Sequence, residues 1–221
     1  MERTIAVIGS AGRGEDSARM TRALYDAMVS EAAEAVKSWG VVVAVSGGAA
    51  FADHVAVRLF LDGVVKRLVL HLPADFDGRA FVPNPSVRFN PGQTCNSYHR
   101  EFSRRCGLDS LSEIAEASRS GAVLAVTPGF HMRNSQVAAD CTHLLAFTFG
   151  RSVSGVDRQE GRYRDFLPAE PGFTDPKAAG LRDGGTAHTW GQAWKPVIKR
   201  HVHLGLLGRE ELLVGALWRS V

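Results

Sequence analysis

The feature that most constrains this chain is an alternation near its N-terminus. Short apolar runs closed by glycine turns alternate with stretches of helical periodicity. Thr4-Ile-Ala-Val-Ile8 is an uninterrupted apolar run closed by Gly9. A helix is expected from Asp16 to Ser38, because Met20, Leu24, Met28, Ala32 and Val36 recur every four residues and share a face. Gly40 marks its stop. Val41 to Val45 is a second apolar strand, Ser46-Gly47-Gly48 its turn, Ala49 to Leu61 the next helix and Arg67 to Leu72 a third strand. Strand, helix, strand, helix, strand is the pattern of parallel βαβ units. Unbroken apolar strands require a sheet covered on both faces. The fold class is therefore α/β: a Rossmann-like three-layer sandwich with a mainly parallel central sheet flanked by helices. Right-handed crossovers place the glycine turns at one edge of that sheet.

The rest of the chain extends the pattern. Pro73 to Gly107 reads as irregular, and Leu108 to Ser118 as a helix. Ala122 to Val126 and Thr142 to Phe149 are two more strands, with a short helix over Met132 to Ala139 between them. Residues 151–182 are polar and punctuated by Pro and Gly, which suits a long functional loop excursion. Thr186 to Trp194 is expected to be a helix, His201 to Leu206 the last strand, and Glu210 to Trp218 a terminal helix. With 221 residues, 45% of them hydrophobic, the chain suffices for one core and is short for two, so 1–221 is read as one domain.

Charge and cysteine usage narrow the setting. A net charge of +3 is mildly basic and does not by itself call for nucleic acid. No run of eighteen apolar residues occurs, so no membrane helix is expected, and the N-terminus lacks signal-peptide order. Cys95, Cys106 and Cys141 are odd in number and irregular in spacing, which fits reduced thiols in the cytoplasm.

Three turns carry the chemistry. They are Gly9-Ser-Ala-Gly-Arg-Gly14, Ser46-Gly-Gly48 and Asp183-Gly-Gly-Thr186. Glycine lets a backbone approach a ligand closely. The free N–H groups of the helix that follows can hold an anion. The candidate phosphate-binding residues are Gly9, Ser10, Gly12, Arg13, Ser46, Gly47, Gly48, Gly184, Gly185 and Thr186, joined by Arg133 and Asn134 ahead of a short helix. A guanidinium fork such as that of Arg133 suits a phosphate. Gly9 to Gly14 spells G-x-x-G-x-G, which is not the dinucleotide fingerprint. Ligands of open α/β sheets nevertheless bind at such strand ends.

Other residues have competing readings. Asp53 could accept from a ribose hydroxyl or act as a base, or simply complement a helix dipole. His188 is a candidate acid, and Trp190 is either a stacking platform or core. His201 and His203 share a strand face but lack an acidic partner nearby in sequence. Cys95, His99 and Cys106 do not follow a zinc spacing. Tyr98, His99 and Phe102 are candidates to line the pocket. Arg100, Arg104 and Arg105 read as a solvated face. No metal or cofactor is expected.

Val41-Val-Val-Ala-Val-Ser-Gly-Gly-Ala-Ala-Phe-Ala-Asp53 resembles the V-S-G-G-A-x-G-x-D turn of the DNA-processing protein DprA. Phe130-His-Met-Arg133-Asn134 with Val137-Ala-Ala139 resembles the F-x-x-R-N-R segment of the same family. With the third turn, the chain resembles the SLOG superfamily, which joins DprA, the Lonely Guy phosphoribohydrolases and YpsA-like proteins. The resemblance implies a Rossmann-like fold that binds nucleotides or nucleotide-derived ligands. The departures include the loss of the proline and of one glycine from the Lonely Guy turn at Asp183-Gly-Gly-Thr186. Phe51 replaces a glycine, Ser135 replaces the second arginine, and Thr189 falls where Lonely Guy enzymes carry their catalytic glutamate.

These readings favour a nucleotide-binding sensor or carrier. One alternative is an enzyme acting at the N-glycosidic bond of a nucleoside monophosphate, with Asp53, Asp157 or Glu160 as its carboxylate. A second is a DprA-like protein binding single-stranded DNA. Nucleic acid as a partner is not favoured, and a homo-oligomer is compatible with the sequence.

Overall fold

A single sheet organises the protein, because its apolar strands need cover on both sides. The computed structural model describes residues 2–86, 88–150, 162–181 and 184–207. In chain order the elements are β1 (Thr4–Gly9), α1 (Glu15–Arg19), α2 (Arg22–Trp39), β2 (Val43–Ser46), α3 (Val55–Leu61), β3 (Arg67–Leu72), α4 (Pro91–Cys106), α5 (Ser110–Arg119), β4 (Val123–Val126), α6 (Phe130–Asp140), β5 (His143–Thr148), β6 (Tyr163–Phe166), α7 (Pro171–Thr174), α8 (Gly185–Gln192) and β7 (Ile198–His203). The strand order is β4-β3-β2-β1-β5-β7-β6. All pairs are parallel except β6 with β7. This is the expected Rossmann-like sandwich. Among the described residues no helix is long and apolar enough to cross a membrane.

Strand alternation divides the core in two. Ile5 and Val7 of β1 point with Leu145 and Phe147 of β5 into the layer of α2, α3, α4 and α5. Ala6, Ile8, Leu144 and Ala146 point the other way, under α6, α7 and α8. On that second side Lys199 is fully buried and donates to Phe173 O at 2.6 Å and Trp190 O at 2.7 Å. Its ammonium lies 4.2 Å from the Phe173 ring centroid. Burial pushes the Lys199 amine down to about 8.

Several expected boundaries move, for local reasons. The first helix breaks at Met20-Thr21, where the Thr21 hydroxyl caps α2 by accepting from Leu24 N at 3.1 Å. The second helix begins at Val55 rather than Ala49, because Phe51 has φ 63° and cannot extend a right-handed helix. The segment read as irregular before Gly107 contains the sixteen-residue α4. Its caps were legible: Asn90 accepts from Gln93 N, Pro91 sits at the first position, and Gly107 closes in the left-handed region at φ 63°. Its buried face was not legible, because Asn96 and His99 occupy core positions beside Cys95, Phe102 and Cys106. Asn96 fits there by accepting from Phe81 N at 2.9 Å and donating to Phe81 O at 2.7 Å.

Residues 151–182 are not a plain loop where they are described: β6 adds an antiparallel edge strand, and α7 follows it. The last strand runs Ile198–His203, three residues earlier than expected. Arg200 ties the sheet edge together through Asp165, at 2.6 and 2.9 Å, and Glu31, at 3.3 Å. Asp157, Glu160, Asp183 and the tail Glu210 to Trp218 lie outside the described residues.

Candidate functional site

From β1 the chain runs outward through β2, β3 and β4, then returns to place β5 on the opposite side of β1. A cleft of about 270 Å³ opens at this reversal, beyond the carboxyl ends of β1 and β5. That is where open α/β sheets bind their ligands. Ile8 and Gly9 of β1 and Thr148 of β5, with the adjoining Phe149, form one side of it. Ser10, Ala11, Arg13 and Asp16 come from the first glycine loop and α1. Ala49, Ala50 and Asp53 follow β2, and Cys95 and Tyr98 come from α4. Phe130, Arg133 and Asn134 of α6 face Gly184, Gly185, Thr186 and Thr189 at α8.

The N-terminus of α8 opens onto this cleft. Its first turn starts with His188 N donating to Gly184 O at 2.9 Å, and the capping residue, Gly184, has no side chain to accept from the first amides. The amides of Gly185, Thr186 and Ala187 therefore lack an intrahelical acceptor, and the helix dipole adds partial positive charge. Two contacts fix this end. Thr186 Oγ1 donates to Gly9 O at 2.9 Å, and Asn134 Nδ2 donates to Gly185 O at 3.3 Å. The Thr186 hydroxyl thus braces the first loop.

Arg133 and Asp53 form the charged centre. Arg133 Nη1 donates to Asp53 Oδ2 at 3.0 Å, with side chains only 9% and 7% exposed. Burial raises the Asp53 carboxyl above its usual range, against the opposing pull of Arg133. Arg133 Nε is buried with no partner among the described residues. Gly47 explains how the guanidinium fits: a Cβ there would lie 1.2 Å from Arg133 Nη1 and 2.8 Å from Asp53 Oδ2. This glycine makes room for an arginine and is not part of the cleft lining.

Other expected residues also have internal partners. Ser46 is fully buried and donates to Val7 O at 2.7 Å, away from the cleft. Gly48 O accepts from His99 Nε2 at 3.1 Å. Ser110 Oγ then donates to His99 Nδ1 at 2.9 Å, and burial pushes His99 down to about 3. The Ser46-Gly47-Gly48 turn is therefore built around Arg133 and His99. Gly12 lies outside the lining, and its amide donates to Ser10 Oγ at 3.2 Å. His188 also lies outside it, half-buried and edge-on to the His131 ring at 5.1 Å. Trp190 is fully buried and donates to Gly172 O at 2.8 Å. Of the three aromatic candidates on α4, Tyr98 lines the cleft, with Arg13 5.4 Å from its ring centroid. His99 and Phe102 are buried core.

The structure adds residues that sequence reasoning did not name. Asp16 brings a second carboxylate to the cleft and accepts from Ser10 Oγ at 2.9 Å. Its position in the first turn after a glycine loop was the available signal. Thr148 is held by His201, whose Nδ1 donates to Ala179 O at 2.9 Å, which leaves Nε2 to accept from Thr148 Oγ1 at 2.7 Å. Burial pushes His201 down to about 4, so it stays neutral. The Cys95 thiol is pushed up to about 12 by burial, which removes it as a nucleophile at neutral pH. Among the described residues no group of three or more His, Cys, Asp or Glu could hold a metal ion.

Comparison with known proteins shows a viral relative. Uncharacterized protein R261 of Acanthamoeba polyphaga mimivirus is 32% identical over 158 residues, which is 68% of this chain and 84% of the viral protein. The chain belongs to the family of that viral protein. No family model matches the chain. Among solved structures, DNA processing protein A (DprA) from Streptococcus pneumoniae is similar at 16% identity and a TM-score of 0.31, over 66% of this chain. The chain spans 41% of that protein's chain.

Proposed function

We propose that the cleft binds a nucleotide or nucleotide-derived phosphate ligand, and that the protein acts as its sensor or carrier. The observation that carries this reading is the glycine-capped N-terminus of α8, which faces the buried Arg133 across a cleft at the sheet's reversal point. Three first-turn amides without an intrahelical acceptor and a guanidinium are the donors a phosphate requires. Tyr98 offers an aromatic wall of the kind a base stacks on. The motif resemblance to the SLOG superfamily supports the same ligand class. Titration calorimetry against nucleoside mono-, di- and triphosphates tests the reading, with micromolar binding of at least one expected. Absence of binding across the panel sinks it.

One observation favours a second reading, cleavage at an N-glycosidic bond. Asp16 lines the cleft and supplies a carboxylate that the Thr189 position lacks. On this reading Asp16, rather than the Arg133-bound Asp53, assists the departure of the base. Incubation with nucleoside monophosphates then releases free base, and Asp16→Asn abolishes that release. No base released by the unaltered protein rules it out.

A further inference from the structure

We infer that Asp53 is an internal competitor for Arg133, an anion built into the fold that a bound ligand's anion must displace or neutralise. The inference rests on the proposed binding of a phosphate in this cleft. Three observations carry it. Asp53 and Arg133 both line the cleft and touch each other at 3.0 Å. Arg133 Nε is buried without a partner among the described residues, so the fork is only partly satisfied by the carboxylate. The bare Cα of Gly47 lies against the guanidinium and leaves no space for a side chain there.

The charge inventory then sets the consequence. Among the described lining residues Arg13 and Arg133 are balanced in number by Asp16 and Asp53, and the end of α8 adds partial positive charge. An anion arriving at Arg133 meets a carboxylate already there. Two like charges at one site cannot both stay ionised cheaply, so one of them takes up a proton. Asp53 is the group placed to do so, since it touches Arg133 and burial raises its carboxyl above the usual range. The other titratable groups around it do not serve. Cys95 on α4 keeps its proton, and His99 behind the turn stays neutral. Tyr98 is a phenol, and His54, the next residue in the chain, faces Glu113 at 2.7 Å on the far side. Asp16 is held by Ser10 on the opposite loop. Ligand binding is therefore coupled to proton uptake at Asp53, and affinity for an anion rises as pH falls.

The test uses the full chain with two probes, adenosine 5′-monophosphate and inorganic sulfate. Sulfate does not titrate between pH 5 and 8, so its pH dependence belongs to the protein. Calorimetry in buffers of different ionisation enthalpy counts the protons taken up, a measurement on the unaltered protein that needs no variant. Uptake of a fraction of a proton is expected, together with sulfate affinity that rises toward pH 5. Asp53→Asn is expected to abolish the uptake and tighten both probes by about tenfold or more. Asp26→Asn, at an exposed carboxylate away from the cleft, keeps the uptake and serves as the control. Binding without proton uptake, or weaker binding by Asp53→Asn, overturns this inference and leaves the binding site standing. Failure of both proteins to bind either probe overturns the phosphate site itself, and the inference with it.

Discussion

Phe51 gives a test in which the usual order of two substitutions should reverse. It stands where the resembling turn has glycine, and it adopts φ 63°, a left-handed conformation that a bulky side chain rarely takes. That conformation costs roughly 1–2 kcal/mol. The ring offsets it by burial: it is fully enclosed, 5.7 Å from Phe102 and 6.4 Å from Tyr25 between centroids. Removing a buried phenylalanine costs about 3–5 kcal/mol. Phe51→Ala loses the ring and keeps the strain, so it should be destabilised by about that full amount. Phe51→Gly loses the ring but escapes the strain. Against this, glycine carries roughly 0.5–1 kcal/mol more chain entropy to lose on folding. The glycine variant should therefore be the more stable of the two by about 0.5–1 kcal/mol. Urea denaturation at pH 7 reads this as a later midpoint, by roughly 0.2–0.5 M for a slope of about 2–3 kcal/mol/M. In an ordinary helix or strand alanine would win. If Phe51→Ala proves the more stable here, the strain argument is refuted, and the reason α3 starts late must be sought elsewhere.

Three further outcomes follow from the same contacts. Gly47→Ala should expel the Arg133 guanidinium, break the buried ion pair and destabilise the fold by about 3–5 kcal/mol, with loss of any phosphate binding; unchanged melting and binding would show that the fit is not tight. Folded His99 and His201 stay neutral while their unfolded forms gain protons below about pH 6.5, so stability is lost as pH falls from 6.5 toward 4, by roughly 4 kcal/mol for the pair at pH 5. Denaturation midpoints at pH 7 and 5 check this, and His201→Gln should flatten part of the slope. Lys199 has the opposite window: above about pH 8 its folded amine sheds the proton that the unfolded chain still holds, so its contribution rises with pH, by roughly 2 kcal/mol at pH 9.5. Lys199→Met should lack that rise, and an identical alkaline profile in the variant would refute it.

The sheet was legible because unbroken apolar runs such as residues 4–8 have few alternatives. The cleft was legible in part. Gly9, Ser10, Arg13, Asp53, Arg133, Asn134, Gly184, Gly185 and Thr186 all line it, although the sequence alone could not say how they meet. The pairing of Asp53 with Arg133 joins residues eighty apart, and no local pattern encodes it. The internal contacts of Ser46, Gly47 and Gly48 were hidden for a related reason. A glycine that admits a ligand and one that admits a side chain look the same in a sequence. Helix α4 was hidden because its inner face carries Asn96 and His99, whose burial makes sense only beside Phe81 and Gly48.

The brace from Thr186 to Gly9 spans 177 residues. The wall that carries the first glycine loop is thus synthesised well before the wall that carries the first amides of α8. A truncated or half-folded chain can hold β1 and its loop and still have no site. Any molecule caught between the two walls selects the finished fold over every partial one, by an amount that grows with the logarithm of its concentration. Occupancy of this cleft is then a readout that the whole sheet has closed.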